Sequence, residues 1–145
     1  MSKEKKFEFL EHRADVYIKA YGKSLENAFE NAALATFETM TEINEIEPKH
    51  EETIKLEGFD VKALLYNWLE ALLIKYETTE YLYSRFRIKK IEKADNGYKL
   101  TANIQGEKFN PKKHPQKVGV KAITYHRMEI IKNPSQTIVK FILDI

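Results

Sequence analysis

Two stretches of this chain repeat their apolar residues at three- and four-residue steps, and everything beyond the second alternates at two. That change of period is the strongest constraint on the fold. Leu25, Ala28, Phe29, Ala32, Ala33, Thr36, Phe37 and Met40 line one face of a helix of about four turns at the 3.6-residue repeat. Ser24 stands before it as an N-cap, and Glu26, Asn27, Glu30 and Glu38 occupy the opposite face. Val61, Leu64, Leu65, Trp68, Leu69, Leu72, Leu73 and Tyr76 repeat the spacing behind Asp60, a second capping residue. This is the most apolar segment and the expected centre of the core. Trp68 lies on its stripe and reads as a core residue, not a ligand-stacking one.

The remaining segments read as strands. An apolar run covers Phe7 to Leu10, and Val16, Ile18 and Ala20 alternate with Tyr17, Lys19 and Tyr21 until Gly22 stops them. Thr41 to Glu52 is acidic and broken by Pro48, a connection, and Thr53 to Gly58 suits a short strand. From Leu82, Phe86 and Ile88 lead to Ile91 past a bulge at Lys89-Lys90. Tyr98, Leu100, Ala102 and Ile104 follow, and Asn96-Gly97 between the two runs predicts a type I′ hairpin. Gly106 to Gly119 is a polar loop carrying Lys108, Lys112, Lys113, His114 and Lys117. Val120 to Ile131 and Thr137 to Ile145 are the last strands, joined by a turn at Asn133-Pro134-Ser135. Two helices separated by strands, then four strands in a meander, predict an α+β two-layer sandwich. Its two amphipathic helices pack on a mainly antiparallel sheet, in a single domain over residues 1–145, with no internal repeat.

Composition narrows the chemistry. A net charge of +2 is too small to predict nucleic-acid binding, so any basic patch must be local. No cysteine is present, which removes disulfides, thiolate zinc sites and cysteine nucleophiles together and fits a reducing compartment. No apolar run approaches the roughly 20 residues of a membrane span, and Met1 to Lys6 leads into no apolar region long enough for a signal peptide. A cytoplasmic protein without membrane contact is the expectation. Dinucleotide, phosphate-loop, zinc-protease and hydrolase-elbow motifs are all missing. His12, His50, His114 and His126 form no helical ligand pair, which favours oxygen ligands over zinc if a metal is held at all.

Three acidic groups stand out. Asp15 sits where the polar corner from Glu11 becomes a strand, and reads either as a turn-capping carboxylate or as a ligand. Asp144 interrupts the apolar run Phe141-Ile142-Leu143, where a carboxylate needs a partner or a metal unless the strand end is frayed and solvated. The main-chain carboxylate of Ile145 adds a further charge. If the early corner and the last strand meet in space, these groups form a hard-cation site. Lys121 opens the run Lys121-Ala122-Ile123-Thr124-Tyr125-His126 and reads as a solvated strand lysine. The lysine-rich loop before it reads as exposed charge, or as a contact for phosphate or an acidic partner surface.

Glu11-His12-(Arg13)-Ala14-Asp15, Tyr21-Gly22 before a helix with Phe29-Glu30-Asn31-Ala32-Ala33, Gly106-Glu107 … His114-Pro115, Lys121 to His126 and the terminal Asp144-Ile145 together resemble archease. The likeness covers essentially the whole chain, in family order. It implies an accessory protein, not an enzyme: an activator of the RtcB-type RNA ligase, which joins tRNA exon halves using GTP and divalent metal. Such a protein speeds ligase guanylylation and allows multiple turnover, and meets tRNA only indirectly. The resemblance carries a metal site onto Asp15, Asp144 and the main-chain carboxylate of Ile145, with calcium as the ion. The lysine of the family's K-A-x-T motif falls on Lys121. His12 and His114 match motif positions and are grouped with it for ligase activation, without an individual role. Arg13 stands where the family has threonine, and beside Asp15 it can pair, compete with a cation or point away. Two other readings stand beside this one. The first is a metal-dependent hydrolase using Asp15 and Asp144, with His12 as the nearby base. The second is a chaperone or RNA-associated protein acting through an apolar patch or the lysine loop.

Overall fold

A computed structural model describes residues 5–10 and 15–145. Strand β1 (Phe7–Leu10) pairs antiparallel with β2 (Val16–Gly22), Phe7 opposite Ala20 and Leu10 opposite Tyr17. His12 and Arg13, with the rest of the expected polar corner from Glu11 to Ala14, lie outside the described residues. Helix α1 (Leu25–Met40) starts on Ser24, whose Oγ accepts the Asn27 N–H at 3.0 Å. A short 3-10 turn at Ile43–Glu45 leads to β3 (His50–Gly58). Helix α2 (Val61–Thr79) starts on Asp60, whose Oδ1 accepts the Ala63 N–H at 2.7 Å. Both caps satisfy donors that the first helical turn leaves open. Strands β4 (Tyr81–Ala94), β5 (Gly97–Lys108), β6 (Ala122–Lys132) and β7 (Thr137–Asp144) complete the α+β fold. No helix of the described residues is long and apolar enough to cross a membrane.

The second-half strands do not run as one meander. The β4–β5 hairpin joins β3 in a three-stranded sheet, and the β6–β7 hairpin joins β2 in a four-stranded sheet of order β1-β2-β7-β6. The reason is edge availability. The free edge of β5 is taken by β3, from His50 opposite Gly106 to Gly58 opposite Tyr98, so β6 has none to join. Each helix packs on both sheets: α1 on β2, β7 and β4, and α2 on β6, β3 and β5. Trp68 is fully buried between them, and its Nε1–H donates to the Phe29 carbonyl at 2.9 Å, tying α2 to α1.

One β-turn-helix device is used twice. β2 ends at Gly22 and β3 at Gly58, and each is followed by the first turn of a helix laid against it. A Cβ on Gly22 would fall 2.2 Å from the Ala28 nitrogen, and one on Gly58 2.5 Å from the Leu64 nitrogen. Only glycine allows that approach. At the β4–β5 turn, Ala94 pairs with Gly97, so Asp95 and Asn96 are the central residues. A type I′ turn needs positive φ at both. Among the described residues the non-glycines with positive φ are Glu80 and Arg127, and Gly97 takes the left-handed value at 135°. The turn therefore closes one residue earlier than expected. The end of β3 presses on it: a Cβ at Gly97 would lie 2.3 Å from the Gly58 carbonyl oxygen.

Candidate functional site at the shared end of three strands

The register of β2 with β7 runs from Gly22 opposite Thr137 to Val16 opposite Leu143. Asp15 is the next residue before that last pair and Asp144 the next after it, so both stand at the same end of neighbouring strands. β6 lies on the other side of β7, with Ala122 opposite Asp144. The Lys121 N–H donates to the Asp144 carbonyl at 2.8 Å, placing Lys121 beside the same corner. Ile18, Ala20, Val139, Phe141 and Leu143 are fully buried on the face toward the helices. By alternation Asp144 belongs to the opposite face, with Lys140 and Ile142, and Asp15 continues the row of Tyr17 and Lys19 that those residues pair with. Asp144 is exposed and Ile145 half-buried. Among the described residues no ion pair links the Lys121 ammonium to either aspartate. Nor do any three His, Asp or Glu side chains group to hold a metal. Among the described residues the side-chain donors at this corner are the two carboxylates, hard oxygen ligands of the type calcium takes.

His114 occupies a different setting. It is 1% exposed, and its two ring nitrogens are both engaged. Nδ1 accepts the Asn110 N–H at 2.9 Å, which fixes the proton on Nε2, and Nε2 donates to Glu107 Oε2 at 2.9 Å. The ring is a strut inside the loop after β5. Glu107 Oε2 also accepts the Glu47 N–H at 2.8 Å and meets the Lys113 ammonium at 2.7 Å. Burial pushes the Glu107 carboxyl up, but these donors outweigh it and hold it down at about 2. Lys113 reaches Glu47 at 2.8 Å as well, and Lys117 reaches Glu42 at 3.0 Å. These two lysines clamp the loop to the β3 side of the molecule, leaving Lys108 and Lys112 as exposed charge.

A sequence profile of the Archease protein family (MTH1598/TM1083) matches residues 7–145. The chain belongs to the archease family. Protein archease of Sulfurisphaera tokodaii is 45% identical over 140 residues, covering 97% of this chain and 99% of that protein. Protein archease of Pyrococcus abyssi is 46% identical over 130 residues, covering 90% and 91%. The solution structure of Methanobacterium thermoautotrophicum protein 1598 superposes with a TM-score of 0.85 at 39% identity, covering 97% of this chain and 99% of that one. The crystal structure of an archease, possible chaperone, from Thermotoga maritima gives 0.60 at 18% identity, covering 100% and 98%, a likeness of fold alone.

Two archease-like motif stretches turn out to brace the fold. Asn31 Nδ2 donates to the Tyr21 carbonyl at 2.6 Å, and Glu30 Oε2 accepts the Ile88 N–H at 2.8 Å, so α1 is hydrogen-bonded to one strand of each sheet. Sequence reading also missed Arg127. Between Thr124, opposite Ile142, and Glu129, opposite Lys140, β6 arches away from β7, and Arg127 there takes φ 58°. Its guanidinium lies 5.3 Å from the Tyr17 ring centroid, bringing positive charge to the row that Asp15 continues. The one signal was a lapse of alternation: Tyr125, His126 and Arg127 are exposed in succession.

Proposed function

We propose that this protein activates the GTP-dependent RtcB-type RNA ligase of tRNA splicing, promoting ligase guanylylation and multiple turnover from the corner of Asp15, Asp144 and Lys121. Its proposed setting is the cytoplasm, and its role is accessory, not catalytic. The observation that carries the reading is the β2–β7 register ending in Val16 opposite Leu143, which sets the two aspartates side by side in a chain of the archease family. Asp15, Asp144 and the main-chain carboxylate of Ile145 would hold a divalent ion, calcium by the hardness of the donors. Such an ion supplies neutralisation of the carboxylates and open coordination positions for a partner's groups.

The residues have separable tasks. Asp15 and Asp144 present a concentrated negative charge, and Lys121 sets a cation at its border without being locked to it. That arrangement suits a surface that enters another protein's charged active site and distinguishes its states. A preference of a few kcal/mol between ligase states is enough to assist turnover. The test is RNA ligation by the purified ligase under single- and multiple-turnover conditions, with and without this protein. Asp144→Asn and Lys121→Ala are expected to abolish the multiple-turnover stimulation while keeping the circular dichroism of the parent. Full stimulation by either variant removes that residue from the site, and cleavage of model phosphoesters without any effect on the ligase replaces the reading with a hydrolase.

A further inference from the structure

A groove of about 1250 Å³ opens at the end of the four-stranded sheet opposite the acidic corner. Tyr21 and Gly22 reach it from the finish of β2, and Ser135 and Gln136 from just before β7. The stretch from Asp15 to Gly22 puts about 23 Å between the two places, at about 3.3 Å per residue. The charges lining the groove are one-sided. Lys5, Lys6, Lys23, Arg85 and Arg87 face it against a single lining carboxylate, Glu30. Glu30 is already engaged, accepting the Ile88 N–H at 2.8 Å and the Asn27 amide at 3.2 Å. Lys5 pairs with Glu8 at 3.3 Å. The side chains of Lys6, Arg85 and Arg87 make no ion pair or hydrogen bond among the described residues.

The two arginines are aimed by a bulge. β4 shifts register between Tyr83, opposite Gly106, and Arg85, opposite Gln105, and from there Phe86 and Ile88 face the core. Arg85 and Arg87 therefore point outward together, two residues apart, about 6.6 Å along the strand. That interval is close to the step between neighbouring phosphates on a nucleic-acid strand. Beside them Gln105 donates to Asn103 Oδ1 at 3.2 Å, a fixed row of amides on the adjacent strand. A protein partner would need apolar or aromatic anchors at the centre of its footprint. Here the apolar and aromatic lining side chains are Leu34, Phe86, which is 8% exposed and part of the core, and Tyr21, whose hydroxyl is engaged with Glu8.

We infer that this groove binds the phosphodiester backbone of a nucleic-acid strand through Lys6, Arg85 and Arg87. The contact is direct, where the family resemblance implied that RNA is met only through the ligase. It does not rest on the activator reading, because no residue of the acidic corner lines the groove.

The test is fluorescence anisotropy of the full chain with labelled strands of about 15 nucleotides, RNA and DNA of one sequence in parallel, titrated from roughly 50 to 200 mM salt. Three phosphate contacts at about 0.7 each predict a log–log salt slope of about −2. The double variant Arg85→Gln, Arg87→Gln should flatten it by about 1.4 and weaken binding. Arg85→Lys with Arg87→Lys should keep the slope, and Lys112→Gln in the exposed loop should change nothing. RNA and DNA binding with one slope supports a phosphate reading, and tighter RNA with that slope adds a 2′-hydroxyl contact to it. Binding that survives the glutamine pair, equal loss in Lys112→Gln, or absence of salt-dependent binding overturns the inference. Displacement of the strand by polyglutamate at a lower concentration than by an unlabelled strand of equal charge overturns it in favour of an acidic protein surface.

Discussion

Changing Glu107 to glutamine separates charge from shape at the anchor of the loop after β5. In the folded chain Oε2 gathers the Glu47 N–H, the Lys113 ammonium and His114 Nε2 within 2.9 Å, and the side chain is 12% exposed. Burial opposes ionisation, yet these donors hold the carboxyl at about 2 against an ordinary 4.5. A carboxyl depressed on folding contributes stability that is present above its unfolded value and lost as pH falls through the folded one. The window is therefore from about pH 4.5 down to about 2. At about 1.4 kcal/mol per tenfold change in proton affinity, the ceiling is about 3 kcal/mol at neutral pH. Glutamine keeps the volume and one acceptor oxygen but turns three charge-assisted bonds into weaker ones, for an expected loss of about 1–3 kcal/mol. Urea unfolding followed by Trp68 fluorescence, at pH 7, 4.5, 3 and 2 and constant ionic strength, measures it. The gap between parent and Glu107→Gln should be full at pH 7 and close toward zero by pH 2. A gap of the same size at both ends would mean that packing, not charge, anchors the loop. A gap under about 0.5 kcal/mol at pH 7 would refute the ion-pair argument outright.

On the proposed metal site, Asp15→Asn should weaken calcium binding by tenfold or more in isothermal titration calorimetry, since a side-chain carboxylate is lost, while the metal-free melting temperature stays within a few degrees. An unchanged calcium isotherm would remove Asp15 from the donor set. Gly22→Ala should cost about 3 kcal/mol, because its Cβ would meet Ala28 main chain at 2.2 Å and neither strand nor helix can yield locally. Thermal melting should show a drop of roughly 6–12 °C for a domain of this size. Thr41→Val runs the other way. The Thr41 hydroxyl is buried without a hydrogen-bond partner among the described residues, so removing it should leave stability unchanged or raise it by up to about 1 kcal/mol, read from the urea midpoint.

Local features were legible because their causes are local. Ser24 and Asp60 announced the two helix starts, the apolar stripes ran true through Met40 and Leu73, and the bulge at Lys89-Lys90 sits where β4 shifts register between Ile88 and Lys90. What failed depended on distant chain. A continuous meander is the economical reading of four alternating runs, but whether β6 follows β5 depends on β3 having taken that edge. The Asn96-Gly97 turn was misplaced by the backbone of Gly58, more than thirty residues away. Asp15 and Asp144 could be flagged singly as carboxylates next to apolar runs, yet their adjacency follows only from the β2–β7 register. His114 matched a family motif position in a polar loop but had no individual role, because nothing in its lysine and proline neighbours marks it as buried. Its burial comes from Glu107 on the strand and Asn110 in the turn, each satisfying one ring nitrogen.

A net charge of +2 conceals an internal separation, with cationic side chains lining the groove at one end of the four-stranded sheet and Asp15 and Asp144 at the other. On the activator reading, a ligase state that brings a cationic group to the acidic corner is favoured there and another state is not. A difference of about 1–3 kcal/mol is what coupling between protein states typically requires. No large rearrangement of this chain is then needed, because Asp144 is held by the ladder to Ala122 and by the Lys121 amide, and Val16 is fixed opposite Leu143. The two positions are kept in place by backbone pairing on either side of them. For that reason their substitution should alter the partner's response while leaving the fold as it is.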